Sequence, residues 1–194
     1  VAKQNKNNRP SEVRVIAGQW RGRKIAFTEV EGLRPTSDRI RETLFNWLQE
    51  VVGQSRCLDL FAGSGALGFE AASRGAELVT LVEANREVAK QLETTSHKLS
   101  ADSCQIHNRS AIDYLDGTTQ KYDIVFVDPP YKAGMWSQVA EKMVEKAILS
   151  DNAHIYLEYP SHINLPVLPA QWRIVKDKKA GAVRYCLLQN NNEE

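Results

Sequence analysis

The apolar positions of this 194-residue chain fall into two alternating rhythms. Short apolar runs over Arg56–Phe61, Leu78–Glu83, Gln105–Asn108 and Tyr122–Asp128 read as strands, while Ala66–Arg74, Arg86–Leu99, Ala111–Leu115 and Ala133–Leu149 read as the helices between them. Strands alternating with helices in this way imply an α/β fold, a parallel sheet covered on both faces. His154–Tyr159 adds a strand, and Trp172–Lys178 and Val183–Leu188 flank Gly181 as a closing hairpin. The expectation is a mixed seven-stranded sheet with an antiparallel edge strand. The proline-rich link from Pro160 to Pro169 leaves little room for a helix.

Ahead of this alternation, Val13–Ala17 and Lys24–Phe27 flank Gly18-Gln19-Trp20-Arg21-Gly22-Arg23, which predicts an N-terminal β-hairpin with a basic, aromatic tip. After Pro35, Thr36 or Ser37 is placed to cap a helix whose apolar face is Ile40, Leu44, Trp47, Leu48 and Val51. The polar, low-complexity ends read as tails. The organisation expected is a flexible basic tail over 1–12, a hairpin extension over 13–32, one main domain over 33–189 and a polar tail over 190–194.

Two motifs carry chemistry. The strand Ile124–Val127 ends in Asp128-Pro129-Pro130-Tyr131, an acid, two proline-restricted carbonyls and an aromatic ring presented together. Neither proline has an N–H and both fix φ, so the carbonyls here are stiff and free of helix bonding, which suits a planar amino group; a Pro-Pro turn with a packed Tyr is the simpler alternative for the tetrapeptide alone. The second motif, Cys57 to Ala72, is an apolar strand, a Gly63-x-Gly65-x-x-Gly68 turn and an alanine-rich helix, as in a nucleotide-type βα loop. The next strand ends in Glu83, at the spacing of an acid that accepts ribose hydroxyls. Asp59 stands where dinucleotide folds usually carry an apolar residue, and a carboxylate there suits a cationic amino group, as in the methionyl half of S-adenosylmethionine, better than a phosphate. The alternative for Asp59 is a strand residue bonded to nearby backbone donors.

Asp59 through Gly68, Glu83 and Asp128 through Tyr131 resemble the cofactor loop, ribose acid and catalytic tetrapeptide of class I S-adenosylmethionine-dependent amino methyltransferases, which have a Rossmann-like fold. Within that superfamily, Leu33-Arg34-Pro35-Thr36-Ser37-Asp38-Arg39-Ile40-Arg41-Glu42-Thr43-Leu44-Phe45-Asn46-Trp47-Leu48, followed by Leu58–Gly65, is similar to the RsmD family, small-subunit 16S ribosomal RNA guanine-N2 methyltransferases. The likeness runs from about Arg14 to Gln189. It implies methyl transfer from S-adenosylmethionine to the N2 amine of a guanine, in an assembled or late-assembly small subunit. The residues carried over are Asp128, Pro129, Pro130 and Tyr131 for catalysis, and Asp59, Phe61, Gly63, Gly65, Gly68, Glu83, Ser110 and Ala111 for the cofactor. One departure is visible: relatives usually carry an acid before the alanine of the third cofactor motif, where this chain has Arg109-Ser110-Ala111.

Charge adds a polarity. Residues 1–41 hold ten Lys or Arg against four Asp or Glu, a net of +6, and the remainder hold fifteen against twenty, a net of −5. A basic front joined to an acidic body fits a nucleic-acid contact surface. Arg14, Arg21, Arg23 and Lys24 are the phosphate candidates, while Trp20 is suited equally to stacking on a base or packing against the hairpin. Thr36, Arg39 and Arg41 join the RNA candidates through the family-like segment.

Other chemistries are less well supplied. Cys57, Cys104 and Cys186 are odd in number and widely spaced, and His97, His107, His154 and His162 lack metal-ligand spacing, so reduced thiols and no metal are expected. Glu158 ends a strand near the crevice, where a salt bridge or hydrogen bond competes with a substrate contact. With no long apolar run and no signal-like start, the expectation is a cytoplasmic monomer with small-subunit ribosomal RNA or the small subunit as partner and no membrane. The rivals are adenine-N6 or cytosine-N4 methylation of DNA, since the tetrapeptide recognises an amine rather than a base, protein-glutamine methylation, disfavoured by Asp128, and a non-catalytic ribosome-assembly module.

Overall fold

A computed structural model of the chain describes residues 11–27, 36–131 and 134–191. Most of the expected tails, the 28–32 end of the hairpin extension and Leu33–Pro35 of the family-like segment lie outside the described residues. The elements run β1 (Ser11–Arg14), β2 (Lys24–Phe27), α1 (Asp38–Trp47), β3 (Arg56–Asp59), α2 (Ala66–Ser73), β4 (Leu78–Val82), α3 (Arg86–Leu99), β5 (Cys104–His107), α4 (Ala111–Gly117), β6 (Tyr122–Val127), α5 (Trp136–Glu145), β7 (Leu149–Pro160), β8 (Trp172–Ala180) and β9 (Val183–Asn190).

Seven strands form one sheet in the order β5-β4-β3-β6-β7-β9-β8, with the first five parallel. The strand that runs against the others is β9, paired antiparallel to β7 on one side and to β8 on the other. The outermost strand is therefore β8, a short-looped return whose exposed Arg173, Lys176, Lys178 and Lys179 discourage further pairing.

Strand periodicity sends alternate side chains to opposite layers. Cys57, Leu81, Phe126 and Tyr156 join Leu44, Phe45, Phe69 and Leu92 from α1, α2 and α3. Leu58, Val82, Val125 and Ile155 join Leu115, Val139 and Met143 from α4 and α5. Ser37 caps α1, accepting from the Ile40 amide, and the helix buries Ile40, Leu44 and Phe45 but ends before Val51, which stays exposed. The helix expected over Ala133–Leu149 is shorter, because Ala147 adopts φ 50° and the chain then turns into β7 at Leu149. All three cysteines are free, and burial pushes each thiol up to about 12, as befits inert core groups.

The hairpin β1–β2 is clamped onto the C-terminal half of α2. Glu70, fully buried, accepts from the amides of Ile16 at 2.7 Å and Ala17 at 3.0 Å. The Gln19 amide donates to the Ser73 carbonyl and the Trp20 amide to Ser73 Oγ. Gly18, at φ 80°, lies so close that a Cβ there would stand 1.8 Å from the Ser73 carbonyl oxygen.

Candidate functional site

The loops leaving β3, β4, β5 and β6 all open on the carboxyl edge of the sheet, where open α/β sheets bind their ligands. After β3 the chain makes the glycine turn, in which Gly63 and Gly65 take φ of 50° and 77°. Any side chain at Gly65 would meet the Phe69 ring and Leu92 within 2.7 Å. Gly68 plays a different part: a Cβ there would press on Leu81 of β4 at 2.8 Å, so its bareness lets α2 lie close to the sheet.

Two acids frame the turn. Asp59 Oδ2 accepts from the Gly68 amide at 3.1 Å, yet burial outweighs that bond and the Phe61 amide and pushes the carboxyl up to about 7. Glu83 holds the turn from β4, with one oxygen accepting from the Gly63 amide at 3.0 Å and the other from the Asn85 amide at 2.7 Å. Ser110 is the N-cap of α4 and exchanges bonds with Asp113, and Ala111 beside it is buried. Strand β2 leans over the same turn: Gln91 Nε2 donates to the Ala26 carbonyl, and Ala26, Phe27, Gly63 and Ser64 line a narrow cleft.

One strand away, β6 delivers Asp128, partly exposed as a residue but with its carboxyl buried, followed by a buried Pro129 and an exposed Pro130. Thr36 Oγ1 donates to Asp128 Oδ2 at 3.4 Å. The Tyr131 ring is 40% exposed and lies 6.2 Å from that of Trp136, while its hydroxyl donates to Glu158 Oε1 at 3.0 Å. Glu158 is buried; its other oxygen accepts from the Tyr156 hydroxyl at 2.7 Å, and its carbonyl accepts from Trp136 Nε1 at 2.7 Å. Burial, then the charges of Glu158 and Asp59, hold the Asp128 carboxyl well above the ordinary carboxylate range. Burial likewise raises Glu158 against its bonds from Tyr156 and Tyr131 and the influence of the nearby Thr36 hydroxyl. Among the described residues no basic side chain bonds any of these three acids.

The structure thus brings the sequence-predicted cofactor and tetrapeptide residues to one edge, and sorts the RNA candidates differently. Arg14, Arg21, Arg23, Lys24 and Arg39 are exposed, with Lys24 paired to Glu12 at 2.7 Å and Arg23 bonded to the Lys98 carbonyl. Trp20 is only 5% exposed and packs in the core, so it is not a stacking platform. Arg41 is fully buried, bonded to Asp38 and the Arg14 carbonyl beside Glu70, and therefore serves the scaffold instead of touching RNA. Thr36 is buried against Asp128 and belongs to the crevice. Glu158, which the sequence leaves between a salt bridge or hydrogen bond and a substrate contact, stands near the crevice end of β7, one residue beyond the last position paired with β6. A separate cavity of about 350 Å³ between α4 and β5 contains none of the expected site residues.

The profile of the family described as conserved hypothetical protein 95 matches residues 13–189. The chain is 44% identical over 178 residues to ribosomal RNA small subunit methyltransferase D of Escherichia coli K12, covering 92% of this chain and 90% of that protein. It is also 44% identical over 187 residues to the protein of that name in Haemophilus influenzae, covering 94% and 96%. Among solved structures it superposes on the putative methyltransferase yhhF from Escherichia coli with a TM-score of 0.88, at 41% identity over 94% of this chain and all of that one.

Proposed function

The chain belongs to this family, the RsmD methyltransferases, and on that premise we propose that it transfers a methyl group from S-adenosylmethionine to the exocyclic N2 amine of one guanine in small-subunit (16S) ribosomal RNA. The observation that carries the proposal is the convergence of Asp128, Thr36, Tyr131 and Glu158 at the sheet edge that also holds the Asp59–Gly65 turn. The donor set fits the cofactor: the Asp59 carboxyl, raised to about 7 with no cation among the described residues to offset its burial, is an acceptor that a cationic amino group would relieve. When bound, S-adenosylmethionine supplies an electrophilic methyl on a sulfonium. Asp59 would meet its amino group, Glu83 its ribose hydroxyls, and Phe61, Ser110 and Ala111 the adenine side.

An aryl amine is a weak nucleophile because its lone pair is delocalised into the ring. Asp128 and the Pro129 carbonyl accept its two N–H hydrogens and so favour the pyramidal form, while Tyr131 stacks on the base and fixes the nitrogen's position. Alignment and oriented acceptors of this kind contribute on the order of several kcal/mol to lowering a barrier. The base reaches the crevice only when unstacked or looped out of its helix. Exposed Arg14, Arg21, Arg23, Lys24 and Arg39 hold the flanking phosphates.

The test incubates the protein with methyl-labelled S-adenosylmethionine and small subunits from cells lacking the enzyme, with naked ribosomal RNA in parallel, and identifies the labelled nucleoside. N2-methylguanosine, greater in the particle arm, is the expected product; N6-methyladenosine or no label contradicts the proposal.

A further inference from the structure

Asp128, just past β6, and Glu158, one residue beyond the last β6-paired position of β7, are next to one another along the crevice with the Thr36 hydroxyl bonded to Asp128 and close to Glu158, and among the described residues neither has a cationic partner. A buried carboxylate without a cation is costly, and two that share a site cannot both ionise cheaply. Evolution of a scaffold alone would favour an apolar or amide side chain at position 158. Instead Glu158 receives two phenols, Tyr131 from the crevice wall and Tyr156 from its own strand, and its backbone carbonyl is tied to Trp136, the ring packed beside Tyr131. The carboxylate therefore sits between the aromatic ring that would stack on the base and the acid that would meet the amine.

We propose that Glu158 is a positioning residue of the amine pocket: it anchors the Tyr131 phenol from the floor of the crevice and, across Thr36, shares a single proton with Asp128. Among the described residues the groups facing the pair are Asp59 from β3, Thr36 from the segment before α1, Tyr131 after β6 and Tyr156 on β7. All are acidic or neutral, so one negative charge over two carboxyls is the economical state. Shared in this way, the proton lets Asp128 present an accepting oxygen to an N–H while Glu158 keeps its bond from Tyr131.

This inference rests on the proposed amine chemistry, but its main test needs neither RNA nor cofactor. The full chain with carbon-13 in its aspartate carboxyls is titrated by NMR, with and without Glu158→Gln, a variant whose amide oxygen still accepts from Tyr131. Removal of the neighbouring charge lowers the Asp128 midpoint by about one pH unit. Reciprocally, Asp128→Asn lowers the midpoint of Glu158 in glutamate-labelled protein. In turnover, the acid limb of the kcat profile of Glu158→Gln moves to lower pH by the same amount, and Glu158→Ala raises KM for RNA as Tyr131→Phe does. An Asp128 midpoint unchanged in Glu158→Gln overturns the shared proton, and an unchanged KM in both Glu158→Ala and Tyr131→Phe overturns the anchoring. Failure of guanine labelling with the NMR coupling intact would instead count against the substrate assignment alone.

Discussion

Two buried carboxylate sites, some of the deepest charges in the molecule, are treated in opposite ways. At the joint between the hairpin and α2, Glu70 is met by donors and a second cation: the amides of Ile16 and Ala17, Arg74 Nε at 2.8 Å and the Arg41 guanidinium, paired by charge with Nη1 3.6 Å away. At the crevice, Asp59, Asp128 and Glu158 meet hydroxyls, amides and one another, and their carboxyls are raised. The first arrangement compensates its charge and holds two elements together. The second has no cation among the described residues, which costs stability and suits a site that a ligand completes. Burial of an acid does not by itself single out a candidate site; what separates the crevice acids from Glu70 is that, among the described residues, no basic side chain bonds them.

The largest effect is expected at the crevice. Asp128→Ala removes the proposed acceptor of the amine and should lower turnover by about a hundredfold or more while cofactor binding, followed by calorimetry, is retained. Near-normal turnover would take Asp128 out of its role. At the joint, Glu70→Ala strands the Arg41 guanidinium in the core, where Nε and Nη1 already lack hydrogen-bond partners among the described residues. Chemical denaturation should register a loss of about 3–5 kcal/mol, with turnover per folded molecule unchanged.

A smaller effect sharpens the same contrast through pH. Between the ordinary aspartate value of 3.8 and about 7, the folded chain retains a proton on Asp59 that the unfolded chain has lost, so stability falls as pH rises through that window and levels off above it. Asp59→Asn should flatten this slope in denaturation curves collected from pH 4 to 8; an unaltered slope would mean that Asp59 is not raised. The smallest effect belongs to the surface. Replacing Arg21, Arg23 and Lys24 together with Ala should weaken RNA binding and reduce its salt slope by up to about 3, since each cation neutralises at most one phosphate. Filter binding across a salt series measures both quantities.

Much of the sheet was legible because β4 and β6 are near-continuous apolar runs, and Arg86–Leu99 became a helix with the bounds its spacing implies. The α5–β7 junction was not, since Ile148 and Leu149 prolong a helical apolar pattern that only the left-handed Ala147 interrupts. The motifs of the crevice were equally legible, being local in sequence. The fates of Trp20, Arg41 and Glu158 were not, because each is decided by a distant partner: Ser73 for Trp20, Arg14 and Glu70 for Arg41, Tyr131 for Glu158. An arginine on a helix reads as a solvated charge until the segment that covers it is known.

The contrast between compensated and uncompensated acids is tested most directly by melting Asp128→Asn and Glu70→Gln side by side at pH 8, with turnover assayed on the same samples. Asp128→Asn should melt above the parent protein and be inactive, because it removes a charge that burial opposes. Glu70→Gln should melt below the parent and keep its turnover, because it removes a charge that its neighbours require. Melting shifts of the same sign in both variants would contradict the account.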